Sequence, residues 1–294
     1  MTTAFVLSGG GSLGAVQVGM LQALTAHGIG PDLLVGTSVG AMNAAWVAAH
    51  GTSEESLAAL VEVWTRLRRR DVFPVDVLTA LRGVLGRRPN LIRADGLGSM
   101  VTAHGGITTL EEATIPVHLV AADLLSGQNV MIAAGSLVTG VLASAAIPGV
   151  FPPVRRDGRY LIDGGVAHRT GVAEALDLGA TLVYVLPTGA ACALPAPPSS
   201  ALGTAVHALT LLIEQRLARD IAACAPAATI RVLPPLCPLR TSPVDFTRGA
   251  ELINRSRRAS TEWIENGAID LPQPERFLAN HGHHPAALPP VGLG

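Results

Sequence analysis

Lysine is absent from this chain of 294 residues: all 21 basic positions are arginine. That gap excludes any chemistry requiring a lysine of this chain, a phosphate-loop kinase or a Schiff base among them. Together with the abundant alanine, glycine and proline, it reads chiefly as the codon bias of a GC-rich genome. Cysteine is scarce as well. Cys192, Cys224 and Cys237 are odd in number, scattered and form no C-x-x-C pair, so reduced thiols are expected rather than a disulfide framework. The formal net charge is only −1, without the basic excess that nucleic acid demands, and no nucleic-acid partner is expected. Long apolar runs are missing too: Gly, Pro or charge breaks each one well short of the roughly 18 residues of a membrane span. Met1-Thr2-Thr3-Ala4 leads straight into an apolar strand with no charged segment ahead of it. The expectation is a soluble cytoplasmic protein.

What is present is 49% hydrophobic and 15% charged, enough for a large core in one α/β domain, with or without a helical elaboration. Strand and helix signals alternate. Thr3–Ser8 reads as a buried strand, and Leu13, Val16, Met20, Leu21 and Leu24 follow at helical spacing up to Gly28. Leu33–Val35 then runs into an alanine-rich helix, Ala41–Ala49. Ser53–Arg70 is the best amphipathic helix. Its basic end opens residues 66–93, the most basic part of the chain, which read as a solvated helix end and loop or as an insertion touching anionic lipid. Strands are expected at Ile115–Ala122, Asn129–Ile132, Tyr160–Ile162, Thr181–Leu186 and Thr229–Leu233. Helices are expected at about Leu137–Ala145, Ala201–Ala223 and Val244–Asn266, with Pro187–Ser200 as a linker and Pro234–Pro243 as a loop. This order implies a mostly parallel sheet built from βαβ units.

Three short motifs carry the chemistry. Gly36-Thr37-Ser38-Val39-Gly40 lies between a strand and a helix, the arrangement that lifts a serine hydroxyl out on a strained elbow. Glycines on both sides leave room for neighbouring backbone, and the following helix turns its positive end toward a developing oxyanion. Gly9-Gly10-Gly11-Ser12-Leu13-Gly14, between the first strand and its helix, exposes consecutive backbone N–H groups that can hold an oxyanion or a phosphate. Asp163-Gly164-Gly165 ends a short apolar strand with a carboxylate entering a glycine turn.

Each motif alone is common. In this order, with Ala143-Ser144-Ala145-Ala146-Ile147-Pro148-Gly149-Val150-Phe151-Pro152-Pro153 ahead of the aspartate, the chain resembles the patatin-like phospholipase family. The resemblance spans roughly residues 3–190 and, more loosely, 244–266. It implies a three-layer α/β sandwich and a Ser–Asp dyad without histidine. Ser38 would attack an acyl carbonyl, Asp163 would take its proton, and amides around Gly10, Gly11 and Ser12 would hold the oxyanion. No metal or organic cofactor is implied. The substrate would be a lipid or other carboxylic ester, with peripheral membrane contact as a further expectation. On this reading residues 3–270 form the hydrolase domain, 66–110 an insertion near the active site, and 271–294 a Pro/Gly-rich tail. One position departs from the family pattern: Leu13 stands where a basic residue is frequent in the glycine-rich turn.

Rival readings remain. Gly9-x-Gly11-x-x-Gly14 also satisfies a dinucleotide-binding fingerprint, with Asp32 downstream, although Asp32 precedes its strand instead of ending it. His168, five residues past Asp163, makes a Ser–His–Asp triad conceivable. His281, His283 and His284 sit in the tail, and neither His104 nor His118 has a metal-ligand pattern around it. A catalytically idle scaffold of the same fold is the third alternative.

Overall fold

Short apolar runs punctuated by glycine, proline and polar residues become eight strands of one sheet. They are β1 (Thr3–Leu7), β2 (Leu33–Thr37), β3 (Val117–Asp123), β4 (Asn129–Ile132), β5 (Val154–Arg156), β6 (Arg159–Asp163), β7 (Leu182–Leu186) and β8 (Thr229–Val232). The computed structural model describes residues 1–74 and 76–271. Beyond Leu271 the tail read from the sequence, including His281, His283 and His284, lies outside the described residues. The helices are α1 (Gly14–Ala26), α2 (Val39–His50), α3 (Glu54–Arg66), α4 (Arg69–Val72), α5 (Val77–Val84), α6 (Asp95–His104), α7 (Leu137–Ser144), α8 (Val172–Asp177), α9 (Ala201–Cys224) and α10 (Gly249–Glu265).

Strands β3, β2, β1, β7 and β8 are parallel neighbours in that order, as the βαβ reading requires, while β4, β5 and β6 join antiparallel. The layers follow from period-two alternation along the strands. On β1, Phe5 and Leu7 enter the larger core with α1, α2, α3, α7 and α10, and Ala4 and Val6 enter a smaller core with α8 and α9. Helix α1 is buried nearly all round, with polar Gln17 among its buried residues, as befits a helix between the sheet and α10.

Strand β3 positions the site. One of its edges pairs with β4 over Leu119–Ala122. The other is shared: β2 pairs up to Val120, opposite Thr37, and β6 takes over at Ala121, opposite Asp163. The C-terminal ends of β2 and β6 therefore meet head-on, and residues 38 and 163 become neighbours despite the chain between them.

Three expectations are corrected. The helix expected over Ser53–Arg70 ends at Arg66; Leu67 is extended and buried, and α4 begins afresh. A continuous helix would set Arg66 and Arg70 one turn apart with like charge, whereas the Asp71 carboxylate accepts the Arg68 N–H at 2.8 Å and caps the restart. Pro187–Ser200 is no free linker, since Thr188 is fully buried and Ala193 N–H donates to the Leu239 carbonyl at 3.0 Å. The helix expected from Val244 begins at Gly249. Of the scattered cysteines, Cys192 and Cys237 share a thiol hydrogen bond, and burial together with that neighbour raises the Cys237 pKa.

Candidate active site

Ser38 follows the last residue of β2 and caps α2 with φ 54° and ψ −121°, a positive φ that only a surrounding structure can enforce on serine. The flanking glycines are required by crowding. A β-carbon at Gly36 would stand 2.6 Å from the Gly40 carbonyl, and one at Gly40 would collide with the carbonyl of Leu7. Thr37 and Val39 are buried on either side. Ser144, at the end of α7, holds the elbow: its hydroxyl accepts the Ser38 N–H at 3.0 Å and donates to the Val120 carbonyl at 2.6 Å.

Asp163 is fully buried. Its Oδ2 accepts the Ser38 hydroxyl at 2.7 Å and its Oδ1 accepts the Gly165 N–H at 2.7 Å, while its own N–H donates to Ala146 O at 2.9 Å. Gly164 lies too close to the Val120 carbonyl for any side chain, and Ile213 of α9 packs against Gly165 and Gly9. Burial pushes the Asp163 carboxyl up to about 6, against the opposing pull of the Ser38 hydroxyl and the Gly165 amide. No histidine intervenes between the two groups, and His168 is exposed.

The glycine-rich turn lies beside Ser38: a β-carbon at Gly9 would stand 3.1 Å from Ser38 Cβ. Its N–H groups divide into two sets. Ser12 N–H donates to Pro243 O at 2.8 Å, and the Gly14 N–H turns back onto the carbonyls of Gly11 and Ser12. Of the turn residues named from the sequence, Ser12 and Gly14 thus have their N–H groups engaged, and the Gly9 N–H, like those of Gly10 and Gly11, has no protein acceptor among the described residues. Leu13 is fully buried in the core, so this position faces no headgroup. Thr188, just past β7, fixes the turn by donating its hydroxyl to Gly9 O at 2.7 Å.

A buried polar network that sequence reasoning did not find ties these parts together. Gln17 Nε2 donates to the carbonyls of Ser8 (2.8 Å) and Leu186 (2.9 Å). Asn43 Nδ2 donates to Gly14 O at 3.0 Å and Gln17 Oε1 at 2.8 Å, and Trp64 Nε1 donates to Asn43 Oδ1 at 3.0 Å. Two amide side chains inside otherwise apolar helices were the available signal, since buried polar groups need partners.

An apolar cavity of about 30 Å³ opens onto Ser38, walled by Met42, Phe73, Leu97, Phe151 and Phe246. A second, of about 50 Å³, lies further along α2 and shares Met42, Trp64 and Leu67 with the first. A larger cavity, about 660 Å³, lies elsewhere, lined by Gln22, Glu54, Asn254 and Arg257. It touches neither Ser38 nor the glycine turn.

The dinucleotide reading fails on position. Asp32 precedes β2 and accepts the Thr3 N–H at 2.8 Å, at the opposite end of the sheet from the glycine turn. A ribose bound at that turn would lie roughly 16 Å away, the length of a five-residue strand. Among the described residues no three His, Cys, Asp or Glu side chains gather to hold a metal, and no helix is long and apolar enough to cross a membrane.

A family model described as Patatin-like phospholipase matches residues 5–176. An uncharacterized NTE family protein of Mycobacterium tuberculosis, Rv1063c, is 31% identical over 195 residues, covering 66% of this chain and 51% of its own. Patatin-like phospholipase domain-containing protein 7 of Rattus norvegicus is 28% identical over 191 residues, 63% of this chain and 13% of that protein. The chain thus spans about half the length of the mycobacterial relative and a smaller part of the rat protein. Among solved structures, VipD from Legionella pneumophila aligns with TM-score 0.39 and 14% identity, covering 88% of this chain and 67% of that one.

Proposed function

The chain belongs to the patatin-like phospholipase family, and from that premise we propose that it is a serine hydrolase of lipid acyl esters working through a Ser38–Asp163 dyad. The observation that carries this is the 2.7 Å hydrogen bond from the Ser38 hydroxyl to a fully buried carboxylate, at the mouth of an apolar cavity.

In the first half-reaction Ser38 Oγ bonds to the acyl carbon as its proton passes to Asp163 Oδ2. The Gly10 and Gly11 N–H groups receive the negative charge that develops on the carbonyl oxygen. Collapse of this tetrahedral species breaks the ester bond, and the departing alkoxide takes the proton from Asp163. Water then repeats the sequence on the acyl-serine, giving the free acid and restoring the hydroxyl. A carboxylate is a weak base for serine, so its raised pKa of about 6 matters: the base is stronger than an ordinary aspartate yet still ionised at neutral pH. Preorganised amides contribute the larger share, since one oxyanion donor is worth about 3–4 kcal/mol.

The hydrolase unit takes in residues 3–270, because β7 and β8 extend the same sheet beyond β1 and α10 covers α1. Residues 66–110 form an elaboration around the cavity mouth.

A fluorophosphonate probe tests the proposal. Wild type should gain one adduct by intact mass and Ser38→Ala none, with parallel loss of ester hydrolysis. Folded wild type that neither reacts nor turns over esters would overturn the reading in favour of an idle scaffold. Full activity in Ser38→Ala would overturn the nucleophile assignment.

A further inference from the structure

Two leucines of helix α5 and a third at its C-terminal cap stand exposed. Leu78, Leu81 and Leu85 are 53%, 53% and 57% exposed, while elsewhere leucine is mostly core. At 100° per residue the three fall within about 60° of arc, a single stripe. The helix does have an inward face: Thr79 is buried, its N–H and hydroxyl both bonded to Asp76, and Gly83 lies against the Asn90 carbonyl. The leucines are therefore turned outward on a helix that is otherwise held in place.

Arginines surround the stripe. Arg82 follows Leu81, and Arg87 and Arg88 follow Leu85 at the helix end; all three are exposed, and none has a carboxylate partner among the described residues. Residues 66–93 hold eight arginines and two aspartates in a chain whose formal net charge is −1. The nearby acids are already engaged: Asp71 caps α4 and lies 3.9 Å from Arg70, Asp76 caps α5, and Asp95 pairs with Arg93.

The segment is also fastened to the Ser38 cavity at both ends. Before α5, Val72 and Phe73 form part of the cavity wall. After it, the N–H groups of Leu91 and Ile92 donate to the carbonyls of Gly149 (3.0 Å) and Val150 (2.9 Å), beside Phe151 of the same wall. Whatever the stripe rests on is brought to the cavity mouth.

We propose that the Leu78–Leu81–Leu85 stripe, with Arg82, Arg87 and Arg88, is a docking surface for an anionic lipid bilayer. Leucines entering the acyl boundary beneath a rim of guanidinium groups is the arrangement of interfacial helices, which bind through apolar burial and attraction to anionic headgroups together. Charge selects the occupant: an uncharged apolar partner would leave the arginine rim without a counterpart. The inference does not depend on Ser38 chemistry.

Vesicle flotation with the whole 294-residue chain is the test, using phosphatidylcholine with and without phosphatidylglycerol. Wild type should bind the phosphatidylglycerol vesicles about ten-fold or more tightly and release from them at high salt. Leu81→Asp/Leu85→Asp and Arg82→Glu/Arg87→Glu should each weaken binding about ten-fold or more, with unchanged melting temperature and unchanged hydrolysis of a soluble short-chain ester. Ser38→Ala should float like wild type, which separates this surface from the catalytic reading. Wild type that stays with the vesicle-free fraction, or leucine variants that bind as it does, would overturn the proposal. So would a lipid-free dimer dissolved by Leu81→Asp/Leu85→Asp, which would assign the stripe to a second copy.

Discussion

Ser144 grips Ser38 by its backbone, not its side chain. The Ser144 hydroxyl stands between the Ser38 N–H at 3.0 Å and the Val120 carbonyl at 2.6 Å, and Val120 is the β3 residue opposite Thr37. One hydroxyl thus joins the strained elbow to β3, the strand that also pairs with Asp163 of β6 through Ala121. Serine hydroxyl and carboxylate are set by the same three-strand junction.

Removing that hydroxyl should loosen the elbow while leaving both dyad groups in place. Ser144→Ala orphans the Ser38 N–H and the Val120 carbonyl in a fully buried site, at an expected cost of about 1–3 kcal/mol in stability. Turnover should fall by about ten-fold or more through misplacement of Oγ, with KM nearly unchanged. Denaturant melts and steady-state kinetics on the same preparation check this, and a KM increase at constant kcat would contradict it.

The pH profile follows from the buried carboxylate. In the proposed reaction Asp163 acts as a base only when ionised, and burial pushes its pKa up to about 6. Activity on a soluble ester should therefore rise with pH through about 6 and stay level above it, without the second inflection that a catalytic histidine would add. Asp163→Asn keeps the shape but cannot take the proton, and its turnover should fall by about 100- to 10,000-fold. An unchanged profile in Asp163→Asn would remove this residue from the base role.

Much of this site was legible because glycines mark crowding that no other residue tolerates. Gly36, Gly40 and Gly164 each lie against a backbone carbonyl or helix atom, so the three motifs could be placed from sequence alone. The parallel core was equally readable from Thr3–Leu7, Leu33–Thr37 and Leu182–Leu186, whose apolar runs are buried on both faces. The break at Leu67 was hidden, because the apolar spacing of α3 continues past it and the cap comes from Asp71 downstream. The engagement of the Ser12 N–H by Pro243 could not be read either, since that contact is made by a loop some 230 residues away. Hydrogen bonds of that kind leave no periodic trace.

Chain-length preference should reside in the two cavities beside α2. Ser38 to Met42 is one helical turn and Ser38 to Trp46 two, about 12 Å in all. An extended acyl chain advances about 1.25 Å per bond, given a C–C bond near 1.5 Å, so roughly 8–12 carbons would reach the far end of the second cavity. Met100 is a half-buried wall of that cavity on α6. Met100→Trp should lower the ratio of decanoate to acetate kcat/KM by about ten-fold, the order expected for apolar pocket discrimination, without loss of fold. A ratio within two-fold of wild type would place the acyl chain elsewhere.

Glu214 supplies the last test, one of stability. It is buried in α9, its Oε1 has no hydrogen-bond partner, and burial pushes its carboxyl up to about 7. Because the folded-state pKa exceeds the ordinary glutamate value of 4.5, the native state retains a proton that the unfolded chain releases between about pH 4.5 and 7. Stability from this group is therefore greatest at low pH and falls as pH rises through that window. Above it the ionised carboxylate costs on the order of 3 kcal/mol. Glu214→Gln cannot ionise. It should raise the free energy of unfolding at pH 8 by up to about that amount, with the gain shrinking toward zero at pH 5. Urea titrations of both proteins across this range decide it: an equal difference at all pH values would mean that burial does not raise the Glu214 carboxyl, the Gly189 N–H bond offsetting it in full.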